Sequence, residues 1–131
     1  MEIIKLLNSY DDLMFLGGVG AEKIKDAEIE LKISFSEEFK MYLTEFGVAS
    51  FGGREITGIT ESDRLNVVSV TKKYRNLYPV SFEKYYVIEE MNIDSIVIWQ
   101  DEKGYIYQSV GKNKLNKIFN SFSDYLMSFE E

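Results

Sequence analysis

Apolar side chains at Phe39, Tyr42, Leu43 and Phe46 stand at i, i+3, i+4 and i+7, which makes residues 36–46 the clearest amphipathic run in the chain. Ser36 sits where an N-cap belongs, Glu37 and Glu38 fill the first turn, and Gly47 follows where a left-handed residue ends a helix. Start, face and stop agree. At about 100° per residue, Glu38, Met41 and Glu45 gather on a different side of the same helix. That triplet is either a solvated face with one stray methionine or an acid-flanked apolar contact for a basic partner. Upstream, Ala21, Ile24, Glu28 and Leu31 share a helical face with Ala27 beside it, and the short link 32–35 joins the two runs into a helix pair lying on a common core. Three further helices follow from the same period. Ile3, Ile4, Leu7 and Tyr10 mark a short one ended by Asp11-Asp12. Val67, Val70, Thr71, Tyr74, Leu77 and Tyr78 mark another, stopped by Pro79. Phe122, Tyr125, Leu126 and Phe129 mark the last, behind the capping-box-like pair Ser121 and Asp124.

Elsewhere the pattern is that of strands. Residues 85–88 and 95–99 are rich in β-branched and aromatic side chains, and Asp101-Glu102-Lys103-Gly104 forms a tight turn into a partner strand at 105–110. Residues 96–99 are apolar on both faces, so that strand belongs in the middle of a sheet. Shorter strands are expected at 54–59, with Ile56 near the middle, and at 117–120 on an edge. The prediction is an α+β fold: one domain over residues 1–131, with a mainly antiparallel, twisted sheet of about four to six strands. The N-terminal helix pair and the C-terminal helix pack against that sheet. A length of 131 residues with 45% hydrophobic content suffices for one such core.

Charge narrows the choice of partners. The net charge is −7, carried unevenly: 13 acids and 6 bases in residues 1–63, 6 and 9 in residues 64–117, 3 and none in the last fourteen. An acidic chain disfavours nucleic acid and anionic membranes and favours basic partners. Cysteine and histidine are both absent. This excludes disulfides, thiolate catalysis and zinc–thiolate sites, and it removes the commonest general base and most transition-metal sites. No run approaches the roughly 18 apolar residues of a membrane span, and the N-terminal segment lacks a basic region followed by a cleavage site. A cytoplasmic location is expected, with no cofactor.

Three motifs invite a sharper reading. A brief apolar run at 13–16 precedes Gly17-Gly18-Val19-Gly20, but no Gly-Lys-Ser or Gly-Lys-Thr follows and Glu22 sits where a phosphate would be repelled. A sharp turn allowing close backbone approach is preferred over a nucleotide loop. Lys72, Lys73 and Arg75 interleave with Tyr74 and Tyr78, a pattern that suits single-stranded nucleic acid, yet the aromatics coincide with the buried face. The carboxylate pairs Asp11/Asp12, Glu37/Glu38, Glu89/Glu90 and Asp101/Glu102 are the candidates for acid–base or hard-metal chemistry. Adjacent acids diverge, no calcium-loop pattern occurs, and no serine lies in a nucleophile elbow or an SxxK motif.

Read together, Gly17, Gly18, Ile24, Leu31, Phe35, Ser36, Phe39, Leu43, Phe46, Gly47, Phe51, Gly52 and Gly53 resemble the Smi1/Knr4 family, also called the SUKH superfamily. Looser similarity runs through 66–75, 85–90, 96–99 and 121–126. Where the family opens its second helix with Leu-Pro, this chain has Phe35-Ser36. The resemblance implies a non-enzymatic binding protein. Its bacterial members neutralise toxins, often nucleases, as immunity proteins, and its fungal relatives serve as regulatory scaffolds. On this reading the partner is a cognate toxin with a basic nuclease domain, met by Glu38, Met41, Glu45, Glu89, Glu90 and Asp94, and the chain is a monomer or weak dimer. The alternative is a small-molecule or peptide pocket between the helix pair and the sheet, lined by Tyr74, Trp99 or Tyr107. Trp99 itself is read as buried against a helix in preference to a partner anchor.

Overall fold

The computed structural model describes residues 2–78, 82–112 and 114–130. Within them the helices are α1 (Ile3–Asn8), α2 (Ala21–Leu31), α3 (Glu37–Glu45), α4 (Val67–Leu77) and α5 (Phe122–Met127). The strands are β1 (Met14–Phe15), β2 (Ala49–Phe51), β3 (Arg54–Ile56), β4 (Tyr86–Glu90), β5 (Ile96–Gln100), β6 (Ile106–Val110) and β7 (Asn116–Phe119). Short 3-10 turns occupy Asp63–Leu65 and Ser128–Glu130. All five expected helices are present. The expected stop at Pro79 lies outside the described residues; α4 ends at Leu77, with Tyr78 already extended at φ −115° and ψ 162°.

The strands form two antiparallel sheets. β4-β5-β6-β7 is a four-stranded meander, with β5 between two neighbours as its two apolar faces require, and β1-β2-β3 is a separate three-stranded sheet. The small sheet is where structure and sequence reading part. Residues 14–15 and 49–51 form strands that no sequence pattern marks, because two or three residues are too few to display alternation. The two sheets meet at Thr57, whose N–H donates to the Ile88 carbonyl at 2.9 Å and whose hydroxyl donates to the Val87 carbonyl at 2.8 Å.

Alternation along the main sheet separates two cores. Tyr86, Ile88, Ile98 and Ile106 face a large cluster with Phe39, Tyr42, Leu43, Phe122 and Leu126 of α3 and α5. Val87, Val97 and Trp99 face the opposite way, onto Val70 of α4 and Phe82. Trp99 is fully buried, its indole N–H donating to the Ser109 hydroxyl at 3.0 Å, so the tryptophan is core.

Polar groups pin α3 in place at both ends. The Ser36 hydroxyl accepts from Phe39 N–H at 3.1 Å, the expected N-cap, and donates to Gln100 Oε1 at 3.2 Å. Tyr86 hydroxyl accepts from Ser36 N–H at 2.9 Å and donates to the same Gln100 oxygen at 2.8 Å. Proline at position 36 would have no N–H to offer. Near the other end, the buried Tyr42 hydroxyl accepts from Ala49 N–H at 2.9 Å and donates to the Ile56 carbonyl at 3.0 Å, bridging β2 and β3. Burial raises the Tyr42 pKa well above the ordinary phenol value, against the weaker opposing effect of Ala49 N–H.

Three stretches of backbone cross beside the end of α3, and glycine is needed there. A Cβ on Gly18 would press into the Thr44 carbonyl, 2.8 Å from its carbon, and one on Gly58 would press into the Gly47 carbonyl, 2.8 Å from its carbon. The loop after β1 is laced to this point: Leu16 N–H donates to Val48, Gly17 N–H to Phe46 and Val19 N–H to Leu43, at 3.0–3.1 Å. The glycine cluster is therefore a close-packing device, as read.

Candidate functional site

Because Phe39, Tyr42, Leu43 and Phe46 turn into the core, α3 presents its remaining residues outward. Met41 is 40% exposed and Glu45 is exposed; together with Ile4, Glu37, Lys40 and Thr44 they line an open groove of about 280 Å³ between α3 and α1. Lys40 is held by Glu37 at 2.9 Å, and that hydrogen bond is the main reason its pKa rises above the ordinary lysine value, burial acting the other way. Glu38 is half-buried, and its Oε1 accepts from Ser123 N–H at 3.1 Å near the start of α5. Its carboxylate therefore ties two helices together while staying at the rim.

The acids on β4 behave differently, and a β-bulge explains it. The register runs Val87↔Trp99 and then Glu89↔Ile98, so Ile88 is an extra residue on its strand. Beyond the bulge every side chain changes face: Glu89 joins Ile98 on the large-core side and Glu90 joins Val97 on the α4 side. Glu89 is 3% exposed. Its two oxygens accept from Arg54 Nε at 2.8 Å and Nη2 at 2.9 Å, and Oε1 also accepts from the Tyr125 hydroxyl at 2.5 Å. Burial alone would lower the Arg54 pKa, but the bond to Glu89, its charge and Tyr125 outweigh that and raise it. The Phe129 ring lies 3.7 Å from the guanidinium carbon and closes the pair from outside. The expectation that Glu89 meets a partner is corrected here: the bulge turns it inward, where its charge is already matched.

Glu90 is mostly enclosed as well, accepting from Lys73 at 3.1 Å and from the Tyr74 hydroxyl at 2.5 Å. Asp94 is exposed on the β4–β5 turn at φ 52°. Of the six expected contact residues, Glu38, Met41 and Glu45 thus share α3, while Glu89, Glu90 and Asp94 lie on or just after β4 in three different settings. The structure does not bring the two sets into one cluster.

The SUKH_5 family, described as SMI1-KNR4 cell-wall, matches residues 1–130. The chain belongs to the SUKH family. No curated protein matches it.

In this SUKH protein the alternative pocket residues are engaged in packing. Tyr74 meets Trp99 edge-on with ring centroids 6.3 Å apart, and Tyr107 meets Tyr85 at 5.0 Å while its hydroxyl donates to Asp101 at 2.9 Å. None of the three lines the four open concavities described among these residues. One of them, about 460 Å³, mixes Lys25, Lys32 and Lys84 with Glu28 and Glu102, so its charges partly cancel. Among the described residues no group of three or more acidic side chains is placed to hold a metal ion, and no helix is long and apolar enough to cross a membrane. One exposed apolar surface is not marked by any motif in the sequence: Met14 and Leu16 are 71% exposed and Phe15 is 51% exposed. The only signal was the apolar run at 13–16, which carries no period to say which way it faces.

Proposed function

We propose that this SUKH protein acts by occupation: as an immunity protein it binds a cognate toxin, of the basic nuclease type, and masks that toxin's active site without catalysing a reaction. The observation that carries the reading is the outward side of α3, where exposed Met41 lies between Glu38 and Glu45 beside an open groove. Membership of the SUKH family supports a protein partner in general. The net charge of −7 supports a basic one, because complementary potentials speed encounter and suppress wrong partners. A chain that meets its toxin before the toxin can act belongs in the cytoplasm, as a monomer or weak dimer.

The test pairs the purified chain with a basic nuclease toxin domain encoded beside it, reading association by stopped flow and nuclease activity on DNA. Glu45→Lys is expected to slow association several-fold at low salt and much less at high salt, and a slowing that is the same at both would remove the α3 face from the contact. Addition of Glu38→Lys deepens the effect. Failure to form any complex, or a complex that leaves nuclease activity intact, overturns the proposal.

A further inference from the structure

The edge of the small sheet exposes three consecutive large apolar residues, which folded chains of this size normally avoid unless the surface is used. Met14 and Leu16 lie two residues apart on β1 and its continuation, so both point to the outer face of the sheet, Met14 directly opposite Ser50. Phe15 turns the other way, and its ring meets Phe46 edge-on at 5.3 Å. The ridge cannot fold back on itself, because the hydrogen bonds from Leu16, Gly17 and Val19 to Val48, Phe46 and Leu43 hold it against the end of α3. The close crossing at Gly18 holds it there too. It is a fixed apolar edge, and just beyond it Gly18 packs against the backbone of Thr44 and Glu45.

Its electrostatic frame is one-sided. Residues 6–21 and 41–53, which build the ridge and its support, carry Asp11, Asp12 and Glu45 and no basic side chain. All three carboxylates are exposed. Asp12 also accepts from Gly52 N–H at 2.9 Å, which fixes one of them in place. Further along the same outer face, Glu55 is matched by Arg64 at 2.6 Å, so that pair contributes little net charge. An anionic membrane would be repelled by the three acids, and a second copy of the ridge would bring like charges together.

We propose that Met14 and Leu16 are the apolar anchors of the partner contact, and that they seat in an apolar cleft rimmed by lysine or arginine on another protein. This rests on the reading that the chain binds a basic protein, and it names the anchors and the chemistry of the surface they enter. The α3 acids then serve as the rim and the β1 ridge as the centre of the contact.

Methionine methyl groups provide reporters at the needed places: Met14 on the ridge, Met41 on α3 and Met127 on α5. With the methyls carbon-13 labelled, the full chain is titrated with a lysine–leucine amphipathic peptide, a glutamate–leucine peptide of the same pattern, and phosphatidylglycerol vesicles. The Met14 resonance is expected to shift with the lysine–leucine peptide alone, ahead of Met127, and Leu16→Ser is expected to weaken binding at least about tenfold. Ile118→Ser, on exposed β7, should leave affinity unchanged. A silent Met14, an equal response to the acidic peptide, a response to vesicles, or a shift that depends on protein concentration without peptide would each overturn the proposal. If the toxin complex forms and is indifferent to Met14→Ser with Leu16→Ser, only the ridge falls; if no toxin complex forms with the unaltered chain, the immunity reading itself falls.

Discussion

Gly58→Ala isolates the cost of separating two stretches of backbone. Gly58 has no positive φ, so alanine meets no conformational penalty there and the whole effect comes from contact. The added methyl would drive into the Gly47 carbonyl and lie 2.9 Å from Val48 Cγ2. A carbonyl oxygen on fixed backbone cannot rotate aside like a flexible side chain, so the two segments must part by an ångström or more. That displacement strains the bond from Ile59 N–H to the same Gly47 oxygen at 3.1 Å, as well as the bonds of Gly58 N–H to Leu65 and of Val67 N–H to the Gly58 carbonyl. Overpacking costs about 1–3 kcal/mol and one broken buried hydrogen bond about 1–2 more. The expected loss is about 2–5 kcal/mol, a large part of the roughly 5–15 kcal/mol that domains of this kind possess. Urea denaturation at a fixed temperature measures it, with the slope checked for two-state behaviour. Gly20→Ala is the control: nothing lies within 4 Å, its φ is −75°, and the change should stay within about 0.5 kcal/mol. Gly52→Ala, also open but at φ +57°, should fall between them at about 1 kcal/mol. A Gly58→Ala loss below about 1 kcal/mol, or one no larger than that of Gly52→Ala, would refute the claim that the crossing is tight.

The Arg54–Glu89 pair makes a second prediction: Glu89→Gln leaves a guanidinium only 26% exposed without its counter-charge and should cost about 2–3 kcal/mol in thermal or urea denaturation, with Arg54→Met plus Glu89→Leu recovering part of it. The recovery checks that a stranded charge, rather than lost packing, causes the single-variant loss. A third concerns pH. The hydrogen bond from Arg64, aided by its charge, holds the Glu55 carboxyl below the ordinary carboxylate value, against the opposing effect of burial. The folded state therefore binds that proton less readily than the unfolded chain. The pair's contribution is complete above the unfolded value and declines as pH falls through the folded one, so the stability gap between the parent chain and Glu55→Gln should close between about pH 5 and 3. A gap that widens with acid would contradict the sign.

What could be read without coordinates was local and periodic. Ser36 as a cap, the α3 face, the buried Trp99 and the central place of β5 all follow from side-chain types at fixed spacing, and each is present. Glu28 was already visible on the apolar side of α2, and there its Oε2 accepts from Phe35 N–H at 2.8 Å. The β1 and β2 strands were hidden because a strand that short has no alternation to show. Which of Glu89 and Glu90 turns inward is hidden for another reason: an extra residue in a ladder leaves no mark in composition, and only the partner strand reveals it. The exposure of the Met14–Leu16 ridge is not legible in the sequence because the brief apolar run at 13–16 has no period to give it a facing, and the tight tether of the chain around it sets that facing.

The bulge at Ile88 makes β4 a strand that cannot be straightened. Pairing that residue with Ile98 in a regular ladder, instead of looping it out, would exchange the surroundings of two chemically identical neighbours, sending the first glutamate toward Lys73 and Tyr74 and turning the second to the Arg54 side. Any attempt to graft this hairpin onto another scaffold, or to regularise it by design, therefore has to carry the irregularity along with the charges that depend on it.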